Sequence, residues 1–420
     1  MIESIKRIWA QKELRNRIAF TLLVIAVFRF LAHVPLPGVD REALRQLFSG
    51  NALLGLLSAF SGGTMENFSV VSLGLGPYIN ASIILQLLTF GFPSLKELAQ
   101  EGEYGQARIN QYTRLLTIPL SIFQGYGFYF LLRQQGVVSS LDPMSLVALI
   151  TALAAGSFFL MWLGELLTER GIGNGISMLI FVGIASGYPL ALAQSFAALT
   201  AQNTANLILF LLLLLMVFAA VVLISEAVRR IPIQYAIRGP RAAVQSFLPL
   251  RLNQAGVIPI IFAVSLVLIP PTVARYLAGA GNVVLARISS VVLRIFDPAA
   301  FSYNLLYFVL VFLFTFFYTA VVFNTKDLAE NLQKRGGFIP GIRPGLSTKS
   351  FIDKIVSRIT FFGAIFLGLI AILPSVAASA TGITTFTLGG TGVLIVVSVV
   401  LETLRQVEGE LSVREYGGYL

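Results

Sequence analysis

Cysteine is absent from the 420 residues, histidine occurs once, and charged side chains make up only 12% of the chain. Without cysteine there is no disulfide, no thiolate nucleophile and no cysteine-ligated zinc or iron–sulfur centre. His33 stands alone between Ala32 and Val34 at the end of an apolar run, an interfacial position, so an imidazole metal centre or proton relay lacks its parts. There is no paired-carboxylate site, no Asp pair within an apolar run, and no Ser with a His partner, so an intramembrane hydrolase lacks its groups as well. The chain is read as a non-enzyme, and no cofactor or metal is expected. Soluble domains carry about 25% charged residues. Half that charge with 56% hydrophobic residues describes a polytopic membrane protein.

Hydrophobic windows predict ten spans, near residues 18–36, 76–90, 115–132, 145–167, 176–195, 206–224, 256–276, 303–323, 359–378 and 384–404. The basic N-terminus before the first run resembles a secretory signal, but that run is too long for one and no small-x-small site closes it. Basic residues gather on one side of the predicted spans. Placing the N-terminus in the cytoplasm puts most arginines and lysines there, from Lys12 and Arg15 to Lys354 and Arg358, and leaves Arg41, Arg45, Arg133, Arg275, Arg287 and Arg294 outside. The positive-inside rule therefore predicts both termini in the cytoplasm.

The stretch 56–88 fits no simple span. Its first half carries Ser61, Gly62, Gly63, Glu66 and Asn67, and its second half is about half a crossing long. Gly74, Gly76 and Pro77 interrupt it, which predicts a re-entrant segment, a kink, and a helix restarting at Pro77. Broken backbone at membrane depth is tolerated inside protein or beside a water-filled cavity, so a cavity is expected here. The seventh span opens in a similar way, on Gly256 to Pro259. Five spans per half would give the halves 1–200 and 201–420 opposite topology, the inverted-repeat pattern that places a pathway between them.

Two predicted cytoplasmic loops, 229–255 and 324–358, are long, basic and turn-rich, with no obvious core; their charge suits anionic lipid or an acidic, ribonucleoprotein-like partner. Ionisable residues within spans are few. Arg29, Glu165, Glu226 and Glu402 lie near span ends and are read as interfacial. The run Gly171-Ile-Gly-Asn-Gly175 follows an apolar helix and lacks the Lys-Ser/Thr of a phosphate loop, so it is read as a tight turn. Ile79 with Ile83, and Ile180 with Ile184, each share one helix face, as packing isoleucines commonly do.

Several motifs taken together carry a resemblance. They are Glu101-Gly102-Glu103 with Gln111-Tyr112-Thr113-Arg114, then Glu169-Arg170 followed by GIGNGIS to Ser177, then Arg229-Arg230-Ile231. Gln245-Ser246 with Leu248-Pro249-Leu250 follows, and then NLQKRGGFIPGIRPG from Asn331 to Gly345. In this order, over nearly the whole chain, they resemble the SecY family, the channel subunits of bacterial Sec translocons. The resemblance implies an all-α fold of ten transmembrane helices in two inverted pseudo-symmetric halves, with a re-entrant plug, hinged between the fifth and sixth spans. It implies a pore ring at Ile79, Ile83, Ile180, Ile184, Ile261 and Ile395, and a plug at about 56–68 that includes Ala59, Phe60, Ser61, Gly62 and Gly63. Asn80 and Gln124 match polar positions of a lateral gate, where the second and third spans face the seventh and eighth. Arg241 and Arg343 match residues that dock cytoplasmic partners. The partners implied are the small membrane subunits SecE and SecG, the motor ATPase SecA, the ribosome, signal-sequence-bearing polypeptides and membrane lipids, at the cytoplasmic membrane of a bacterium.

The sequence departs from the family pattern in one region. Gly239-Pro240-Arg241 replaces the usual paired arginines, and Ser246-Phe247 is one residue shorter than the usual run before Leu-Pro-Leu. The scarcity of charge and metal ligands fits the resemblance, because a path for chemically varied polypeptides needs no strong binding site. An aliphatic collar can dewet against ions and deform around a chain. A secondary transporter is the alternative, since inverted repeats and broken helices suit one too, but it would need a charged or ion-binding site at the midplane.

Overall fold

Long apolar runs with few charges can satisfy their backbone polar groups only within themselves, and helices do so. The computed structural model describes residues 11–37, 39, 41–49, 58, 61–139, 141–197, 204–235, 246–278, 283–298, 300–381 and 389–417. Its helices are α1 (Lys12–Leu31), α2 (Arg41–Ser49), α3 (Gly76–Gly91), α4 (Pro93–Gln100), α5 (Glu103–Gln134), α6 (Pro143–Arg170) and α7 (Gly175–Ala197). They continue with α8 (Thr204–Glu226), α9 (Ile258–Ala278), α10 (Val283–Ile295), α11 (Phe301–Val322), α12 (Thr325–Lys334), α13 (Leu346–Thr381) and α14 (Gly389–Gly417). Each of the ten predicted spans overlaps one of these helices; the first overshoots α1, which ends at Leu31, and residues 384–388 of the tenth lie outside the described residues. Among the described residues, five helices are long and apolar enough to cross a membrane, or six if the bent pair α3 and α4 is one span.

Helix starts follow local chemistry. α3 and α6 carry proline in the first turn, where a missing N–H costs nothing. Asp142 caps α6, its carboxylate accepting from the Ser145 amide at 3.2 Å. The neighbouring Ser145 holds the Asp142 carboxyl below the usual carboxylate range by hydrogen bonds from its side chain and its amide. α3 ends where Pro93 follows Phe92, and α4 leaves at 104°.

The principal core runs through both halves of the chain, with Phe28, Ile83, Leu160, Ile180, Val221, Ile260, Val311, Leu367 and Ile395 among its buried members. α9 packs against α3 and α5 on one side, while α7 packs against α14 on another. A second apolar cluster joins α2 to the ends of α5 and α6 through Leu44, Phe68, Leu132 and Leu153.

The two long loops were expected to lack a core, and here the structure corrects the sequence. Val228–Tyr235 (β1), Ser246–Arg251 (β2) and Gly337–Phe338 (β3) form an antiparallel sheet in the order β2-β1-β3, with Ile231 opposite Leu248. Ile231, Ile233, Leu250, Leu332, Ile339 and Ile352 are buried together, so sheet, α12 and the start of α13 make one folded unit. Buried Ile231 and Ile233 alternate with exposed Arg230, Pro232 and Gln234, the period-2 signal of a half-buried strand.

Candidate functional site

Residues 61–75 fold back rather than cross. Gly62 and Gly63 at φ +78° and +75° and Gly74 at φ +58° make turns that side chains resist, and Phe68 is forced to φ +46°. The turns leave backbone groups away from water, and small hydroxyls satisfy them. Thr64 donates to the Ser61 carbonyl at 2.9 Å, Ser72 donates to Thr64 at 3.0 Å and to Ser69 at 2.6 Å, and Ser61 donates to Ser58 at 2.8 Å. All five side chains are buried. Each such bond nets ~1 kcal/mol, whereas a buried group left unmade costs ~1–3 kcal/mol. Of the polar residues that made this stretch unfit as a span, Ser61 belongs to this web and Asn67 donates instead to the Ala32 carbonyl at 3.4 Å.

The segment is anchored at both ends of this web. Val70 donates to the Val34 carbonyl and Leu36 to that of Phe68, pairing the segment with the chain after α1. On the other side Ser157 of α6 donates to the Gly74 carbonyl at 2.6 Å. Gly156 lets the backbone approach so closely that an added Cβ would lie 2.0 Å from the Val70 carbonyl oxygen. Phe68 stacks on Phe128 of α5 with ring centroids 5.8 Å apart.

Beside the segment lies a cavity of about 330 Å³ between α3, α5 and α9. Ser61 and Met65 of the folded segment line it, as do Ile79, Ile180 and Ile261, and its walls are mostly apolar. Asn80 and Gln124 also face it, with the Gln124 amide oxygen 3.7 Å from where a Cβ on Gly76 would sit. Ile83, Ile180, Ile184, Ile261 and Ile395 are buried in one core cluster, and Ile79 packs against it half-buried. Ile184 also faces Gly392, where a Cβ would stand 3.1 Å from its Cγ2, less than one helical turn before Ile395. On the far edge of the seam Phe90 of α3 meets Phe317 of α11, edge to face at 5.5 Å.

The remaining expected positions lie apart. Ser61, Gly62 and Gly63 belong to the folded segment, while Ala59 and Phe60 fall outside the described residues. Arg241 also lies outside them. Arg343 is exposed in the turn between β3 and α13, where Thr348 donates to its carbonyl at 3.0 Å. Glu165 pairs with Arg114 at 2.8 Å, and Glu226 at the end of α8 pairs with Arg405 of α14 at 2.6 Å. The glycine turn after α6 is held by its neighbours: the Ile172 amide donates to the Thr21 hydroxyl and the Gly173 amide to Gln406. Among the described residues no group of three or more acidic or histidine side chains could hold a metal ion.

Arg29 has a partner that sequence reading missed. Its Nη1 donates to the Gly62 carbonyl at 3.2 Å. The missed signal was the cost of a charge inside an apolar span, which calls for a named partner.

These features define a class: a multi-pass, all-α membrane protein with an apolar cavity between helices from early and late parts of its chain, beside a re-entrant segment. Residues 69–404 match the SecY family model. A protein translocase subunit SecY from Aquifex aeolicus is 41% identical over the full length of both chains. Those of Thermotoga maritima and Pseudomonas aeruginosa are 40% and 43% identical, covering 100% and 96% of this chain and 98% and 92% of their own lengths. Among solved structures, one described as a protein-conducting channel has 18% identity and a TM-score of 0.68, covering 94% of this chain and 92% of its own. Sec61 in a canine ribosome–channel complex has 18% identity and a TM-score of 0.65 with the same coverage. The chain belongs to the SecY family.

Proposed function

We propose that this chain is a protein-conducting channel that passes unfolded secretory polypeptides across the cytoplasmic membrane of a bacterium and releases hydrophobic segments sideways into lipid. The observation that carries the reading is the apolar cavity, bordered at once by the folded segment, by isoleucines of α3, α7 and α9, and by the seam between α3 and α9. The names of the similar proteins support this reading, and none of those reported is a solute transporter.

Ile79, Ile83, Ile180, Ile184, Ile261 and Ile395 act as the collar, and the stretch at about 56–68 acts as its plug. The chain divides at about residue 200 into two halves, and α3 and α5 part from α9 and α11 at a gate lined by Asn80 and Gln124. A segment of about 20 apolar residues gains from leaving through that seam, while each central charge costs about 2.5–3.5 kcal/mol on insertion scales. No catalysis is needed in the channel itself. The driving energy comes from the ribosome or from SecA, with Arg343 and Arg241 in the docking surface, and SecE and SecG complete the membrane complex. Both termini lie in the cytoplasm.

Vesicles holding the chain with its partner subunits should import a signal-bearing precursor when supplied with ATP and the motor. Absence of import would refute the channel reading, and import unchanged by Arg343→Glu would remove the docking role. Ile83→Gly or Ile180→Gly should raise resting ion conductance, and an unchanged single-channel current would remove the collar.

A further inference from the structure

The folded segment is held by bonds within it, by the bonds of Phe68, Val70 and Gly74 to residues 34–36 and to α6, and by separate contacts at its Gly62 tip, and these do different work. The Ser61, Thr64, Ser69 and Ser72 hydroxyls bond within the segment, so they maintain its own shape. Arg29 and Gly183 instead join it to α1 and α7. The Arg29 guanidinium donates to the Gly62 carbonyl at 3.2 Å, and Gly62 lies against Gly183 so closely that a Cβ on either would stand 2.6 or 2.9 Å from the other's Cα. Gly183 sits between Ile180 and Ile184 on α7. The tip of the segment is thereby clasped beside two of the collar isoleucines.

We propose that Arg29 is the positioning residue that keeps the segment seated, with Gly183 as the floor beneath it. This rests on the channel reading above and adds the residues that set its closed state. Arg29 is half-buried in the outer part of α1. A guanidinium there is poorly hydrated, so a charge-assisted bond to a carbonyl is stronger than at a water-exposed site. The bond runs to backbone, so its strength does not depend on the side chains of the tip. The glycine pair gives close dispersion contact, and either added methyl would lift the tip away. Breaking the hydroxyl web would unfold the segment, whereas breaking the clasp frees the tip of a segment that stays folded and tied at Phe68, Val70 and Gly74.

The test uses the full chain reconstituted with its partner membrane subunits, with ion conductance of the resting channel and precursor import both measured. Arg29→Met and Gly183→Ala should each raise the resting open fraction roughly tenfold, equivalent to about 1.4 kcal/mol, while precursor import continues. Arg29→Lys should restore most of the seal, because an ammonium can still donate to the carbonyl. If Arg29→Met and Gly183→Ala seal as tightly as the parent protein, the clasp is wrong. A leak from Arg29→Lys equal to that of Arg29→Met would overturn the hydrogen-bond account. A parent protein that imports no precursor refutes the channel reading; one that imports normally beside tight variants refutes the clasp alone. Should Arg29→Met fail to assemble, Gly183→Ala, which alters no charge, decides the matter.

Discussion

At the start of α3 the chain runs Gly74-Leu75-Gly76-Pro77, and at the start of α9 it runs Gly256-Val257-Ile258-Pro259. In both, the leading glycine is left-handed, at φ +58° and +63°, the helix begins two residues later, and proline takes its second position. The surroundings differ. Gly74 is buried under the folded segment, with a Cβ there 3.4 Å from the Ser61 Cα, and its carbonyl accepts from Ser157 of α6. Gly256 has open space on that side, and its carbonyl accepts from Asn253, three residues back. What precedes α3 is a hydroxyl-stapled segment turned inward, and what precedes α9 is β2 of the small sheet. One backbone device starts a helix in two settings, and only in the first is the leading glycine itself in contact with a distant element.

That contrast can be broken most strongly from the α6 side. Gly156→Ala should lower stability by about 3 kcal/mol, the upper range for overpacking, because the methyl has only the Val70 carbonyl to displace. Thermal unfolding of the full chain would show it. Next, Gly74→Ala should cost about 2–3 kcal/mol, combining left-handed strain with contact on Ser61, whereas Gly256→Ala should cost about 1–2 kcal/mol from strain alone. Equal losses would show that the inward segment does not brace the first turn. Ser157→Ala should remove about 1 kcal/mol, and Asn253→Ala about 0.5 kcal/mol, since the latter bond spans only a local turn.

The smallest effect lies outside both turns. The carboxyl of Asp142 titrates below its unfolded value, so its contribution is complete above about pH 4 and fades as pH falls through the folded value. Asp142→Asn should remove that acid slope from the melting midpoint and leave the α3 and α9 differences untouched.

Much of this was legible in the chain. Ten apolar runs located ten of the described helices but not the short α2, α4, α10 and α12, and the Gly74, Gly76 and Pro77 cluster marked the restart of α3, which does begin at Gly76. Ser61, with Glu66 and Asn67, was visible as a departure from lipid-facing composition. The hydroxyl bonds among Ser61, Thr64, Ser69 and Ser72 were not, because side chain to backbone pairing depends on how the turn closes. The loop unit was missed because β1 and β3 lie about 100 residues apart; each strand is too short to announce a shared core. Arg29 was placed at an interface because a span end near water is the cheapest site for a charge.

Composition and spacing alone determined the membrane class, the helix positions, the broken second span and the absence of cysteine chemistry, since these depend on transfer of apolar surface and on local backbone limits. The tertiary structure decided which isoleucines share a cluster, that Gly62 rests on Gly183, and that Arg29 bonds the tip of the inward segment. Those contacts join residues 33 and 121 positions apart. A close approach of that kind exists only once distant helices have packed, because it is the pairing of two surfaces, which neither stretch of sequence specifies by itself.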